Sequence, residues 1–121
     1  MTQHVVLEAQ AIKPYVASRS SEEFIRSTRD FLDLLTWGSE NGTDRYLLMD
    51  TNFTPAFYDL STGLAGEILQ RVSNYWVRLA IHGSFEIIKS AKFREFITES
   101  NKGSSVCFLR DKDKALAWLL S

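Results

Sequence analysis

The chain has 121 residues, of which 45% are apolar and 24% charged, with a formal net charge of -1. That length predicts one domain, 1–121, with enough apolar residues for a packed core, and the composition excludes a disordered chain. The near-neutral balance removes the bulk attraction on which nucleic-acid and anionic-membrane binding rest, so neither partner is expected.

Met1-Thr2-Gln3-His4 has neither the basic region nor the apolar run of an export signal. His4-Val5-Val6-Leu7-Glu8 reads as a first strand. Tyr15-Val16-Ala17 follows as a second, and Pro14 confines it to a strand start or a sheet edge. Ser20 and Glu23 have the spacing of a capping box. Phe24, Phe31, Leu32 and Leu35 then recur at helical spacing, and that helix ends near Trp37-Gly38. Arg45-Tyr46-Leu47-Leu48-Met49-Asp50 is a short apolar strand ending in an acid. Such runs are far too short to span a bilayer.

A second helix is expected from Ser61, with Leu64, Ile68, Leu69 and Val72 on one face. Trp76-Val77-Arg78-Leu79-Ala80-Ile81 is the next strand, stopped by His82-Gly83. Phe93, Phe96 and Ile97 mark a third helix, closed by Asn101-Lys102-Gly103 as a C-cap signal. A last strand runs from Ser105 to Leu109. Asp111 then caps a final helix with Ala115, Leu116 and Leu119 facing inward.

Two early strands followed by helix–strand alternation predict an α/β fold. The expected sheet is mixed, mostly parallel, of four or five strands, with about four helices. In such sheets, sites gather beyond the carboxyl ends of the strands. The candidates there are the loop over 50–62, His82 to Phe85, and Arg110-Asp111. The lone Cys107 has no internal disulfide partner and sits in an apolar strand, which reads as a buried thiol in a reducing, cytoplasmic setting.

The segment Phe57-Tyr58-Asp59-Leu60-Ser61-Thr62-Gly63-Leu64-Ala65-Gly66 places adjacent hydroxyls and two glycines where a loop turns into a helix. A hydroxyl at a helix start caps it, binds an anion, or accepts a phosphoryl group. Gly63 and Gly66 inside a helix need a compensation, either close packing on the sheet or backbone approach to a ligand. Phe57 and Tyr58, beside the hydroxyls, are expected at a binding surface. Asp50 and Asp59 are turn or cap residues, with no third ligand at metal-binding spacing. His82 follows a strand, where a base could sit, but no nucleophile neighbours it in a motif. Glu99-Ser100-Asn101-Lys102-Gly103 is either a partner-facing loop or a plain helix C-terminus. Trp37, Trp76 and Trp118, with the eight Phe, are expected mostly in the core. No phosphate-binding glycine loop, metal-spaced cluster or serine elbow is present, so no cofactor, metal or catalytic residue is expected.

This element order, with a glycine- and hydroxyl-rich helix start after the middle strand, resembles the STAS domain of bacterial anti-sigma factor antagonists. In that family an Asp-Ser-Ser-Gly-Leu-Gly-like motif opens the second helix, and a serine in it is phosphorylated by a partner kinase. With Gly63-Leu64 aligned, Ser61 falls on the phosphoacceptor position, Thr62 beside it. Asp59 lies one residue early, with Leu60 in its place, and Ala65-Gly66 replaces a single glycine. A second resemblance covers more of the chain. Asp59-Leu60-Ser61-Thr62-Gly63-Leu64-Ala65-Gly66-Glu67-Ile68-Leu69-Gln70 is similar to an uncharacterised bacterial family, domain of unknown function 4180. So are Asn74-Tyr75, Leu79-Ala80-Ile81 with Gly83, Phe96-Ile97 with Glu99-Ser100-Asn101-Lys102-Gly103, and Ala115-Leu116-Ala117-Trp118-Leu119.

These resemblances imply a small cytoplasmic regulatory or interaction domain. It would meet a protein partner through the start of the second helix, with Ser61 or Thr62 as phosphoacceptor. The alternative is a small-molecule or anion-binding domain, with or without catalysis, using the same helix start and the His82-Gly83 loop. Residues expected at either surface are Phe57, Tyr58, Asp59, Ser61, Thr62, Gly63, Glu67, His82, Gly83 and Phe85. A homodimer built on exposed aromatics is a third expectation.

Overall fold

The structure is a computed structural model, and it describes residues 3–10 and 13–121. Met1 and Thr2, read above for an export signal, lie outside them. The fold is α/β, a five-stranded, mixed, mostly parallel sheet with four helices. Strands β1 (Val5–Gln10), β2 (Lys13–Ser18), β3 (Arg45–Met49), β4 (Arg78–His82) and β5 (Val106–Leu109) lie side by side in chain order. β1 pairs with β2 antiparallel, and the remaining pairs are parallel. Pro14 sits near the start of β2, opposite Ala9, as its missing donor requires.

Helices α1 (Thr28–Glu40), α2 (Leu64–Asn74) and α3 (Ala91–Ser100) cover one face of the sheet, and α4 (Lys112–Leu120) covers the other. Strand alternation divides the core between the faces. Tyr46, Leu48, Leu79 and Ile81 point toward the larger cluster, with Phe31, Leu34, Ile68 and Phe93. Leu47 and Ala80 point the other way, against Ala115 and Leu119 of α4. Asp111 caps α4 as expected, accepting from the Lys114 N–H at 3.0 Å. Cys107 is buried, and that burial raises its thiol pKa. Among the described residues, no helix is long and apolar enough to cross a membrane.

The start of α1 differs from the sequence reading. Ser20 caps no helix. The N-cap is Ser27, whose hydroxyl accepts from the Asp30 N–H at 3.1 Å. Phe24 and Ile25 are held extended because both their N–H groups donate to the Asn52 carbonyl, and Ile25 forms a parallel bridge with Phe53. α1 also continues past Trp37-Gly38 to Glu40. Gly38 lies inside this helix and must be glycine, because a side chain there would overlap the Tyr46 phenol, whose hydroxyl donates to the Leu35 carbonyl at 3.2 Å.

α3 ends where expected, but Asn101 does more than close it. Its side-chain amide donates to the Phe108 carbonyl at 2.9 Å and accepts from the Phe108 N–H at 2.7 Å. β5 is an edge strand, and this pairing covers part of its outer side. That favours the helix-terminus reading of the 99–103 segment over a partner-facing one at Asn101.

Candidate functional site

The carboxyl end of β3 runs into three 3-10 turns, Asp50–Asn52, Pro55–Tyr58 and Leu60–Thr62, before α2 begins at Leu64. The sequence reading started α2 at Ser61. The left-handed Gly63, φ 79°, separates the last turn from the helix instead. Gly63 is therefore a hinge residue between elements, and its positive φ explains the glycine. Gly66 lies within α2, but a side chain there would meet nothing. Close packing on the sheet does not account for it, and nothing in the structure does.

Asp59, Ser61, Thr62 and Gly63 form one exposed turn. The Asp59 carboxylate accepts from the Ser61 hydroxyl at 2.7 Å and from the Ser61 N–H at 3.0 Å. The hydroxyl, then the N–H, holds the Asp59 carboxyl below the usual carboxylate range. The Thr62 hydroxyl donates to the Ala56 and Asp59 carbonyls and accepts from the Leu64 N–H at 3.3 Å. So Thr62, not Ser61, serves the first turn of α2. Glu67, one turn into α2, accepts from the Thr28 hydroxyl at 2.7 Å and fastens α2 to the start of α1.

Phe57 and Tyr58 are not surface residues. Phe57 is fully buried and Tyr58 nearly so, in an aromatic cluster with Phe53 and Phe93. Hydrophobic burial of two large rings outweighs the exposure that their polar neighbours suggested. The Tyr58 hydroxyl donates to the Asp50 carbonyl at 2.5 Å. Burial, and then the negative charge of Asp50, pushes its pKa up.

Asp50 holds the loop that follows β4. One carboxylate oxygen accepts from the Thr51 N–H at 2.8 Å, and the other accepts from the Phe85 N–H at 2.9 Å. Both oxygens are thus committed to backbone donors. Gly83 lies against this carboxyl group at φ 155°, and Phe85 is held at φ 56° with its ring buried. Phe85 packs edge-on against Phe108 and is a core residue rather than a surface one.

His82 ends β4, half-buried beside these groups. Burial lowers its pKa from 6.5, Lys112 lowers it further, and Asp50 partly opposes both. The folded state therefore binds its proton more weakly than the unfolded chain does. Between the depressed value and about 6.5, the unfolded chain carries more protons, so stability rises with pH there. The His82 contribution is fully present above about pH 6.5 and is lost as pH falls through the folded value. Urea midpoints measured from about pH 7.5 down to about pH 5 should fall more steeply for the wild type than for His82→Gln. Parallel slopes for the two proteins would refute this role.

The structure thus sorts the expected residues into two groups. Asp59, Ser61, Thr62, Gly63 and Glu67 are exposed at the head of α2, whereas Tyr58, His82, Gly83 and Phe85 surround Asp50. Among the described residues, no hydrogen bond joins His82 to Ser61 or Thr62, whose hydroxyls are donated to Asp59 and Ala56. Nor does any group of three or more His, Cys, Asp or Glu there form a metal site. Asn52 was missed by the sequence reading. It is fully buried and bonded to three backbone groups. A lone Asn after an apolar strand carries no signal that separates it from an ordinary turn residue.

Residues 10–119 match the sequence model of one protein family, described as a domain of unknown function (DUF4180). No curated protein matches the chain. No solved structure matches it either.

Proposed function

We propose, for a chain that belongs to the DUF4180 family, a regulatory role in which the exposed turn over 59–63 meets a protein partner. Ser61 is the phosphoacceptor that switches this contact. One observation carries the reading. The Ser61 hydroxyl is exposed and caps nothing in α2, and its acceptor is the neighbouring Asp59 carboxylate. The N-cap of α2 is Gly63 and the one hydroxyl that meets its first turn is that of Thr62, so α2 draws on no hydroxyl at position 61. The resemblance of 61–64 to the STAS phosphorylation motif points to the same atom.

The physics of such a switch is local. A phosphate adds about -1.5 to -2 charge. On Ser61 it would stand within hydrogen-bonding reach of an ionised Asp59, and like charges there repel. Asp59 would leave the turn, the Ser61 N–H would lose its acceptor, and the surface beside Glu67 would become strongly acidic.

The test is a quantitative pull-down from native-host lysate with wild type, Ser61→Ala and Ser61→Asp. A partner recovered by Ser61→Ala and reduced at least about tenfold by Ser61→Asp, or the reverse, is the expected result. Peptide mass spectrometry of the protein from the same cells should find phosphate on Ser61. Equal recovery by all three proteins, with Ser61 unmodified, would sink the switch.

A further inference from the structure

α2 ends in a Schellman motif. The Val77 N–H donates to the Val72 carbonyl at 3.2 Å, and the Trp76 N–H donates to the Ser73 carbonyl at 3.3 Å. This geometry puts Trp76 at the left-handed position, φ 57°, which helix ends ordinarily give to glycine or asparagine. A bulky residue is strained there. The Trp76 side chain, expected in the core, is instead 87% exposed, and Tyr75 beside it is 57% exposed. The backbone favours glycine at this position, and solvent favours a polar side chain. Neither folding nor solubility accounts for tryptophan, whereas binding does, because tryptophan leads the residues that anchor interfaces.

A cavity of about 520 Å³ opens next to it, between α1 and the Tyr75–Val77 turn. Leu32, Leu35 and Val77 form an apolar part of its wall, and Arg29, Asp33, Glu40 and Asp44 line it as well. Among the described residues, Glu40 has no ion-pair partner. On the other side of Trp76, the groove it overhangs carries Arg78. A protruding ring and a partly apolar recess therefore share one end of the sheet; acids outnumber the single Arg29 in the recess, and the groove beside Trp76 carries Arg78. That is the self-complementary arrangement a two-fold interface requires.

We propose that this end of the sheet is a self-association surface. A second copy of the chain docks about a two-fold axis, so that Trp76 of each copy seats in the cavity of the other. The Arg78 guanidinium, held in its own chain by the Ser104, Leu119 and Ser121 carbonyls, then presents its positive charge toward the acidic cavity of the partner. Burial of the exposed parts of two Trp76 and two Tyr75 side chains supplies on the order of 600 Å² of a ~1,600 Å² interface. The surface lies at the opposite end of the strands from Ser61 and does not depend on the switch proposed there.

Sedimentation velocity over a concentration series tests this on wild type, Trp76→Gly and Thr36→Arg. Thr36 is an exposed α1 residue on the cavity wall, so arginine there obstructs the recess without entering the core. Glycine suits the left-handed position, so Trp76→Gly should fold well. At concentrations where both proteins are monomeric, it should melt about 4 °C higher than wild type. The expected result is a wild-type dimer and at least about 30-fold weaker association in each variant. A monomeric wild type at every concentration would overturn the proposal. So would a dimer that either variant leaves intact.

Discussion

Replacing Asn52 by alanine is expected to destabilise the fold by about 3–5 kcal/mol, since each buried polar group left unpaired costs about 1–3 kcal/mol. The Asn52 side chain accepts from the Met49 N–H at 2.8 Å and donates to the Ser20 and Glu22 carbonyls at 2.9 and 2.8 Å. It is fully buried, so alanine leaves these three groups facing a small void. The loss is a large share of the ~5–15 kcal/mol that holds a domain together. Urea unfolding monitored by circular dichroism measures it. Hydrogen exchange adds a spatial check. The Phe24 and Ile25 N–H groups bond to the Asn52 backbone carbonyl, which the substitution keeps. Their protection should nonetheless fall, because the 20–25 segment loses its side-chain tether. A loss under about 1 kcal/mol would show that water replaces the amide at little cost.

Gly83→Ala should be comparably damaging for a different reason. At φ 155°, a non-glycine residue costs about 1–3 kcal/mol in the backbone alone. The added methyl would also overlap the Asp50 carboxyl group. Moving that carboxylate aside strips the Phe85 and Thr51 N–H groups of their acceptor. Together these give a loss of about 3–5 kcal/mol. Asp50→Ala removes both the overlapped atoms and the acceptor, so on that background Gly83→Ala should cost only its backbone part. The double-mutant cycle should therefore show a coupling of about 1–2 kcal/mol. Additive losses would mean that the two residues act independently and that Asp50 does not hold the loop against Gly83.

How far the sequence can be read differs along the chain. The strand–strand–helix–strand alternation is legible because each segment carries its own hydrophobic period. The α4 cap at Asp111 and the strands at β3 and β5 were legible for the same reason. The α1 boundary was not. Ser20 with Glu23 satisfies the spacing of a capping box, and it is the tertiary bonds of Phe24 and Ile25 to Asn52, with the Ile25–Phe53 bridge, that keep 24–25 out of the helix. The candidate site divides in the same way. Exposure of Asp59, Ser61 and Thr62 follows from their polarity. The burial of Phe57, Tyr58 and Phe85 depends on Phe53, Phe93 and Phe108, which are distant in sequence.

By itself, the sequence determined the α/β alternation and a polar segment with two adjacent hydroxyls, Ser61 and Thr62, where a loop gives way to α2. These rest on properties of contiguous residues: periodicity, turn chemistry and capping oxygens. Tertiary structure alone decided that Asp50 and Gly83 meet and that Asn52 ties three backbone groups. It also decided that Gly38 makes room for Tyr46, and that Trp76 stands in solvent beside an open cavity. Each of those outcomes depends on which side chain from another element fills, or fails to fill, the space beside a residue. That choice is made by close packing across the fold, and no local pattern encodes it.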